Sequence, residues 1–241
     1  MKKFILLAFA AILAVNTSSA QYIRGDKTAS NSSIEHGKNS QWYVRAGLGL
    51  SKQVGSDAVD DETQTMKSVA GYDFMVGFQK KFGSSDLYWG MEYGLGSRGY
   101  KLITEDSDVK ETAKYTDKLI AHNVKIVPFQ LGYKYNIGET DFAVDAHLSA
   151  FVSFDYVGTY SEEKEYGEKS YMGKPGTTDK DDYSLGNIGN YQRFDAGIQF
   201  GVGVWYKKFN LDFTYQRGFI SQDTEYKMFS SQFMIRVGYA F

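Results

Sequence analysis

The chain has 241 residues, a formal charge of −2 and no cysteine, which excludes a disulfide framework and a lipoprotein anchor. That balance also lacks the strongly basic surface of a nucleic-acid binder. Tyrosine (19), phenylalanine (17) and glycine (25) are abundant and proline is limited to Pro128 and Pro175, a composition that favours strands over helices.

The first twenty residues read as a secretory signal. Lys2 and Lys3 are followed by an apolar run from Phe4 to Val15, then by the small residues Ser18, Ser19 and Ala20. This is the order of a basic start, a hydrophobic stretch and a cleavage site. The run is shorter than the ~20 residues of a spanning helix. Cleavage after Ala20 is predicted, which leaves a mature chain of net charge −4. Residues 21–40 are polar and without period, and are expected to be a flexible periplasmic lead-in. Residues 41–241 then form one domain.

Across that domain, bulky apolar residues recur at every second position, the mark of strands with one apolar face. The first predicted strand (about Trp42 to Leu50) sets Trp42, Val44, Ala46 and Leu48 against Arg45, Gly47 and Gly49. After a polar loop from Ser51 to Lys67, the second sets Tyr72, Phe74, Val76 and Phe78 against Gly71, Asp73, Gly77 and Gln79. A tight turn, Phe82 to Asp86, leads to the third, with Leu87, Trp89, Met91, Tyr93 and Leu95 opposing Gly90, Glu92, Gly94 and Gly96. A charged loop is expected from about Ile103 to Lys118. The fourth places Val127, Phe129, Leu131, Tyr133 and Tyr135 opposite Pro128, Gln130, Gly132 and Lys134, with Pro128 marking a bulge or an unpaired acceptor. Asn136 to Thr140 forms the next turn. The fifth alternates Phe142, Val144, Leu148, Val152 and Phe154 with Asp145, His147, Ser149, Ser153 and Asp155. The longest loop is expected at about Gly158 to Asn190. The sixth opposes Phe194, Ile198, Phe200, Val202, Val204 and Tyr206 to Arg193, Asp195, Gln199, Gly201 and Gly203. A turn at Lys207-Lys208 leads to the seventh, where Phe209, Leu211, Phe213 and Tyr215 oppose Asn210, Asp212, Thr214 and Gln216. The eighth ends the chain, with Phe229, Phe233, Ile235, Val237, Tyr239 and Phe241 opposing Ser230, Gln232, Met234, Arg236 and Gly238.

Eight strands joined by alternating long and short connections predict an all-β, eight-stranded antiparallel up-and-down transmembrane barrel, with long loops outside and short turns in the periplasm. Three observations turn the apolar face toward lipid. A barrel of eight strands has an interior just wide enough for side chains, and the rings of Trp42, Phe74, Trp89, Phe129, Phe200 and Phe213 would overfill it. Tyr133, Tyr135, Phe142, Tyr206, Phe209, Tyr239 and Phe241 fall near the short turns and would form an interfacial girdle, with Tyr156, Tyr191, Phe219 and Phe229 as its outer counterpart. The last strand also ends with Phe233, Ile235, Val237, Tyr239 and Phe241 on one face, which resembles a C-terminal signal read by the barrel-assembly machinery.

With these strands in place, the chain resembles the outer membrane protein β-barrel domain family, the porin-family or PorT-like small barrels. The resemblance rests on Phe194-Asp195-Ala196-Gly197-Ile198-Gln199-Phe200-Gly201-Val202-Gly203-Val204, on Phe209 to Gly218, and on Val127-Pro128-Phe129-Gln130-Leu131-Gly132-Tyr133-Lys134-Tyr135. It implies an outer-membrane location and a small barrel, and transfers no catalytic residue.

The predicted lumen carries Arg45, Asp73, Glu92, Lys134, Asp145, His147, Asp155, Arg193, Asp195, Asp212 and Arg236. Buried charge demands partners, so a paired polar network that fills the lumen is expected; the alternative is a small porin or channel for ions or small solutes. Asp145 and His147 share a face, but two ligands make a poor metal site, and a pH-dependent place in the network suits them better. No metal, cofactor or catalytic residue is expected, since no nucleophile motif accompanies the serines, and His36 and His122 stand apart. In the longest loop Glu162, Glu163, Lys164, Glu165, Asp181 and Asp182 are the candidate recognition residues. Expected partners are outer-membrane lipid and lipopolysaccharide, the assembly machinery during insertion and an extracellular ligand. The reading is a structural or surface-interaction role.

Overall fold

The structure is a computed structural model that describes residues 40–56, 58, 63–107, 112–167 and 176–241. The predicted signal segment and the lead-in lie outside the described residues except for Ser40, which already begins the first strand. Among the described residues ten strands follow in chain order: β1 (Ser40–Val54), β2 (Gln64–Lys67), β3 (Val69–Lys81), β4 (Leu87–Ser107), β5 (Thr112–Asn136), β6 (Phe142–Tyr166), β7 (Thr178–Ser184), β8 (Phe194–Tyr206), β9 (Phe209–Ser221) and β10 (Phe229–Ala240). Eight of them close an antiparallel ring in the order β1, β3, β4, β5, β6, β8, β9, β10, and β10 pairs back onto β1 with Tyr239 opposite Val44. The eight-stranded barrel expected from alternation is therefore the architecture found. Closure leaves no unpaired strand edge in the ring, which a hydrocarbon surround requires.

The apolar face of each ring strand points outward. Leu48 is 72% exposed, Phe200 55% and Val237 63%, an outward apolar surface far larger than a soluble monomer tolerates. Rings at the short-turn end touch their neighbours: Phe142 and Tyr206 centroids lie 4.8 Å apart, Phe209 and Tyr239 5.3 Å, and Tyr239 and Phe241 5.6 Å. The alternating faces follow from the pleat, which sends successive side chains to opposite sides.

Pro128 does mark a bulge. Ile126 faces Val152 while Phe129 faces Ala150, so β5 carries one extra residue against β6, and the same offset occurs against β4 between Glu92 and Gly90. Proline cannot donate to a ladder and is tolerated where pairing is interrupted. The extra residue shifts the phase by one. Val127, expected on the lipid face, is instead fully buried inside, and both Pro128 and Phe129 face out.

Two expected loops are strands. From Ile103 to Ser107 and from Thr112 to Lys118 the chain continues as two paired strands, in register from Gly96 opposite Asn123 to Ser107 opposite Thr112; residues 108–111 fall outside the described residues. The segment from Gly158 likewise prolongs β6 to Tyr166, and β7 folds back on it, with Thr159 opposite Ser184 and Glu165 opposite Thr178. Residues 168–175 of that predicted loop fall outside the described residues. At the start of the barrel β1 runs on to Val54, and β2 pairs with β4, Gln64 opposite Thr104. A spanning strand needs ~9–11 residues, whereas β5 and β6 have 25 each. Their surplus carries a five-stranded sheet, β2-β4-β5-β6-β7, beyond the barrel. Charge suggested loops because a sheet wetted on both sides has no apolar face to reveal its period.

Candidate functional site: the lumen and the outer sheet

Two groups of ion pairs cross the lumen, each assembled from strands distant in sequence. In the group nearer the periplasmic turns, Arg45 on β1 meets Glu92 on β4 at 2.7 Å, and Tyr43 donates its hydroxyl to the same carboxylate at 2.8 Å. Arg236 on β10 meets Asp212 at 2.6 Å, Asp73 at 3.3 Å and Glu92 at 3.4 Å, and donates to Thr214 at 2.9 Å. Lys125 on β5 pairs with Asp73. His147 lies between two carboxylates, its Nδ1 3.1 Å from Asp145 and its Nε2 3.6 Å from Asp212. Asp145 also accepts from the Tyr88 hydroxyl and the Trp205 indole, both at 2.9 Å. These groups are almost wholly buried, so each charge depends on its partners to offset lost hydration.

Aromatic and aliphatic side chains share this interior. Tyr43 and Trp205 meet edge-to-face with centroids 6.4 Å apart, and Met75, Val127 and Phe151 form a buried apolar cluster. Two glycines make room for rings: a Cβ on Gly77 would come within 2.3 Å of the Tyr43 ring, and one on Gly132 within 2.3 Å of the Tyr88 ring. Lys134 lies at the inner end with its ammonium 3.7 Å from the Trp205 ring centroid, a cation-π contact where an ion pair was expected.

The second group sits toward the long-strand end. Arg98 on β4 pairs with Asp155 on β6 at 2.8 Å and with Asp195 on β8. Asp155 also accepts from the Tyr191 hydroxyl, and Asp195 from Ser230. Tyr191, expected in the outer girdle, thus turns inward. Arg193, expected in the lumen, is only partly buried and stands outside this network; its carbonyl accepts from the Asp155 amide at 2.9 Å, and its guanidinium borders Gly186.

Nine of the eleven predicted lumen residues, all except Lys134 and Arg193, take part in these two groups. Arg98 and Lys125 were missed. Arg98 continues the inward series Glu92, Gly94, Gly96 and was recoverable by extending the third strand two residues. Lys125 lies on the far side of the Pro128 bulge, where the phase changes. Among the described residues no group of three or more side chains converges as metal ligands.

Outside the barrel, the candidate recognition residues lie on paired strands. Asp117, Glu162 and Asp181 stand directly across from one another on β5, β6 and β7. Thr116, Glu163 and Lys180 form the next row, and Lys114, Glu165 and Thr178 the row beyond Tyr115, Lys164 and Asp179. Burial, then the neighbouring Glu162 charge, raises the Asp117 carboxyl above its usual range. Lys180 and Asp182 pair at 3.2 Å. Tyr115, Tyr166 and Asp179 help line a cleft of about 450 Å3 against this acidic row.

The family model for the outer membrane protein beta-barrel domain matches residues 20–223. No curated protein matches the chain. Among solved structures, the chain is similar to the attachment invasion locus protein Ail of Yersinia pestis, solved with the heparin analogue sucrose octasulfate, at 14% identity over 85% of this chain and all of that one (TM-score 0.35). It is similar to the Neisserial surface protein NspA at 15% identity over 85% and 100% (TM-score 0.37), and to OprG of Pseudomonas aeruginosa at 13% over 85% and 97% (TM-score 0.35). With its ring of eight strands and the family model matched over most of its length, the chain belongs to the outer membrane protein β-barrel domain family and resides in the outer membrane.

Proposed function

We propose that the barrel is a non-conducting, non-enzymatic anchor and that the protein acts through the sheet it holds outside the membrane. The observation that carries this reading is the crossing of the lumen by buried ion pairs at two levels, Arg45–Glu92 and Arg236–Asp212 at one and Arg98–Asp155 at the other. Opening a path for ions means separating charges that only each other can satisfy, which is costly in a low-dielectric interior. The lengths of β4, β5 and β6 support the second half of the reading, because surplus paired strand makes a preformed contact surface with little ordering entropy left to lose on binding. Glu162, Glu163, Lys164, Glu165, Asp181 and Asp182 are its candidate contact residues. Lipopolysaccharide around the barrel and the assembly machinery during insertion are the proposed envelope partners.

Conductance in planar bilayers tests the closed lumen. Purified protein is expected to give no unitary steps, and Arg236→Ala with Arg98→Ala is expected to introduce them. Reproducible steps from the unaltered protein would replace the anchor reading by a small channel for ions or solutes.

A further inference from the structure

At the outer mouth, between the Arg98 group and the extended sheet, lies a cavity of about 340 Å3, at the lower end of the roughly 300–1,000 Å3 of small-molecule sites. One wall is aromatic. Tyr100, Tyr160 and Tyr191 line it, and all three are packed against the buried cluster of Leu119, Ala121 and Leu185. Part of the rim, including Tyr191, is held by backbone pairing between two segments. Tyr191 bridges Asp223, the Gln192 amide donates to the Gln222 carbonyl at 2.8 Å, and the Thr224 amide donates to the Asn190 carbonyl at 3.1 Å. Asp223 is itself fixed by the amides of Glu225 and Tyr226 at 2.7 and 3.0 Å. The cavity is therefore built before any ligand arrives.

Its polar groups are amides and carboxylates. With its amide turned to present oxygen to Arg98, Gln222 accepts from the guanidinium at 2.9 to 3.1 Å. The Gln53 amide lies 3.3 Å from the other end of the Gln222 amide. Gln53 is only 3% exposed, yet one atom of its amide has no hydrogen-bond partner. A buried amide left half-satisfied is costly, and this one lines a cavity. Asn190, Glu162 and Asp223 complete the polar side, and among the described residues no lysine or arginine lines the space. Arg98 below is already engaged by Asp155, Asp195 and Gln222.

We propose that this cavity binds one neutral pyranose ring. A sugar ring has an apolar C–H face that stacks on tyrosine and a rim of hydroxyls that both donate and accept. Amides and carboxylates satisfy such hydroxyls, since an amide offers both donor and acceptor and a carboxylate accepts. The two carboxylates, with the nearby Arg98 already paired, select against sulfated, phosphorylated or sialylated sugars, a repulsive element that sharpens choice. The inference goes beyond the anchor reading and holds whether or not the lumen conducts.

Saturation-transfer NMR on the full-length protein in lauryldimethylamine oxide, a detergent without a sugar headgroup, tests it. The probes are methyl glucoside, methyl galactoside, methyl mannoside and N-acetylglucosamine, with glucose phosphate and N-acetylneuraminate as anionic comparisons. At least one neutral sugar is expected to show saturable transfer to its ring protons, with the anionic sugars about tenfold weaker or more. Gln53→Leu and Glu162→Ala are each expected to weaken the neutral sugar about 3- to 10-fold, the loss of one hydrogen bond. Failure of every neutral sugar to give a saturable signal would overturn the proposal, as would preference for an anionic sugar or undiminished signals in both variants. If Gln53→Leu fails to fold, Glu162→Ala, on the solvated sheet, decides alone.

Discussion

At the residue scale, the lumen is a set of charges whose burial makes each partner indispensable. Arg236 touches three carboxylates, Asp212, Asp73 and Glu92. Arg236→Met removes the cation but keeps most of the volume, leaving those acids undercompensated. The expected cost is about 3–5 kcal/mol, read from urea unfolding in lipid vesicles. Lys180→Met, which breaks the exposed pair with Asp182, is expected to cost less than about 1 kcal/mol. Equal effects would mean that burial does not set the strength of these pairs. Arg45, Asp73, Glu92, Asp145, Asp155, Asp195, Asp212 and Arg236 were legible as inward residues because each sits among apolar neighbours of opposite phase. Which acid met which base was not legible. Glu92 and Arg236 are 144 positions apart, and their contact depends on how the ring is closed.

At the scale of elements, the departures from expectation have two causes. The Pro128 bulge moves Val127 inward and brings Lys125 into reach of Asp73; such an insertion changes phase without changing the alternation on either side. The outer sheet was hidden because its strands are solvated on both faces. That sheet carries a titration with a definite sign. Asp117 stands opposite Glu162, which stands opposite Asp181, and like charges directly opposite destabilise a sheet. Because the folded-state pKa of Asp117 is raised by burial and by Glu162, its contribution favours the folded sheet below the unfolded pKa and is lost as pH rises through the raised folded value. Amides of β5, β6 and β7 beyond the membrane are therefore expected to gain protection from hydrogen exchange on acidification from neutral pH, after correction for intrinsic rates. Asp117→Asn should flatten that dependence. Protection that falls on acidification would refute the assignment.

At the scale of the whole molecule, closure is completed by the last residues. The Phe241 amide donates to the Trp42 carbonyl at 2.9 Å, and Ala240 donates to Lys208 at 2.8 Å, so the C-terminus joins the first strand to the β8–β9 turn. The side chain of Phe241 is 60% exposed on the lipid side. Phe241→Ala is therefore expected to change the stability of refolded protein by no more than about 1 kcal/mol while lowering its yield in the outer membrane several-fold. Heat-modifiable gel migration of membrane fractions measures the latter. Undiminished yield would remove the assembly-signal role from Phe233, Ile235, Val237, Tyr239 and Phe241.

Residue order alone was enough for the number of ring strands, their outward faces except at the Pro128 bulge, the short turns and the membrane as solvent, because a pleated strand with one face in lipid writes its period of two directly into local sequence. The tertiary structure decided the rest. It set the partners inside the lumen, the inward turn of Tyr191, the exclusion of Arg193, the tyrosine-walled mouth and the sheet outside. Those features depend on register between strands far apart in the chain, or on surfaces wetted from both sides, and neither leaves a local periodic trace.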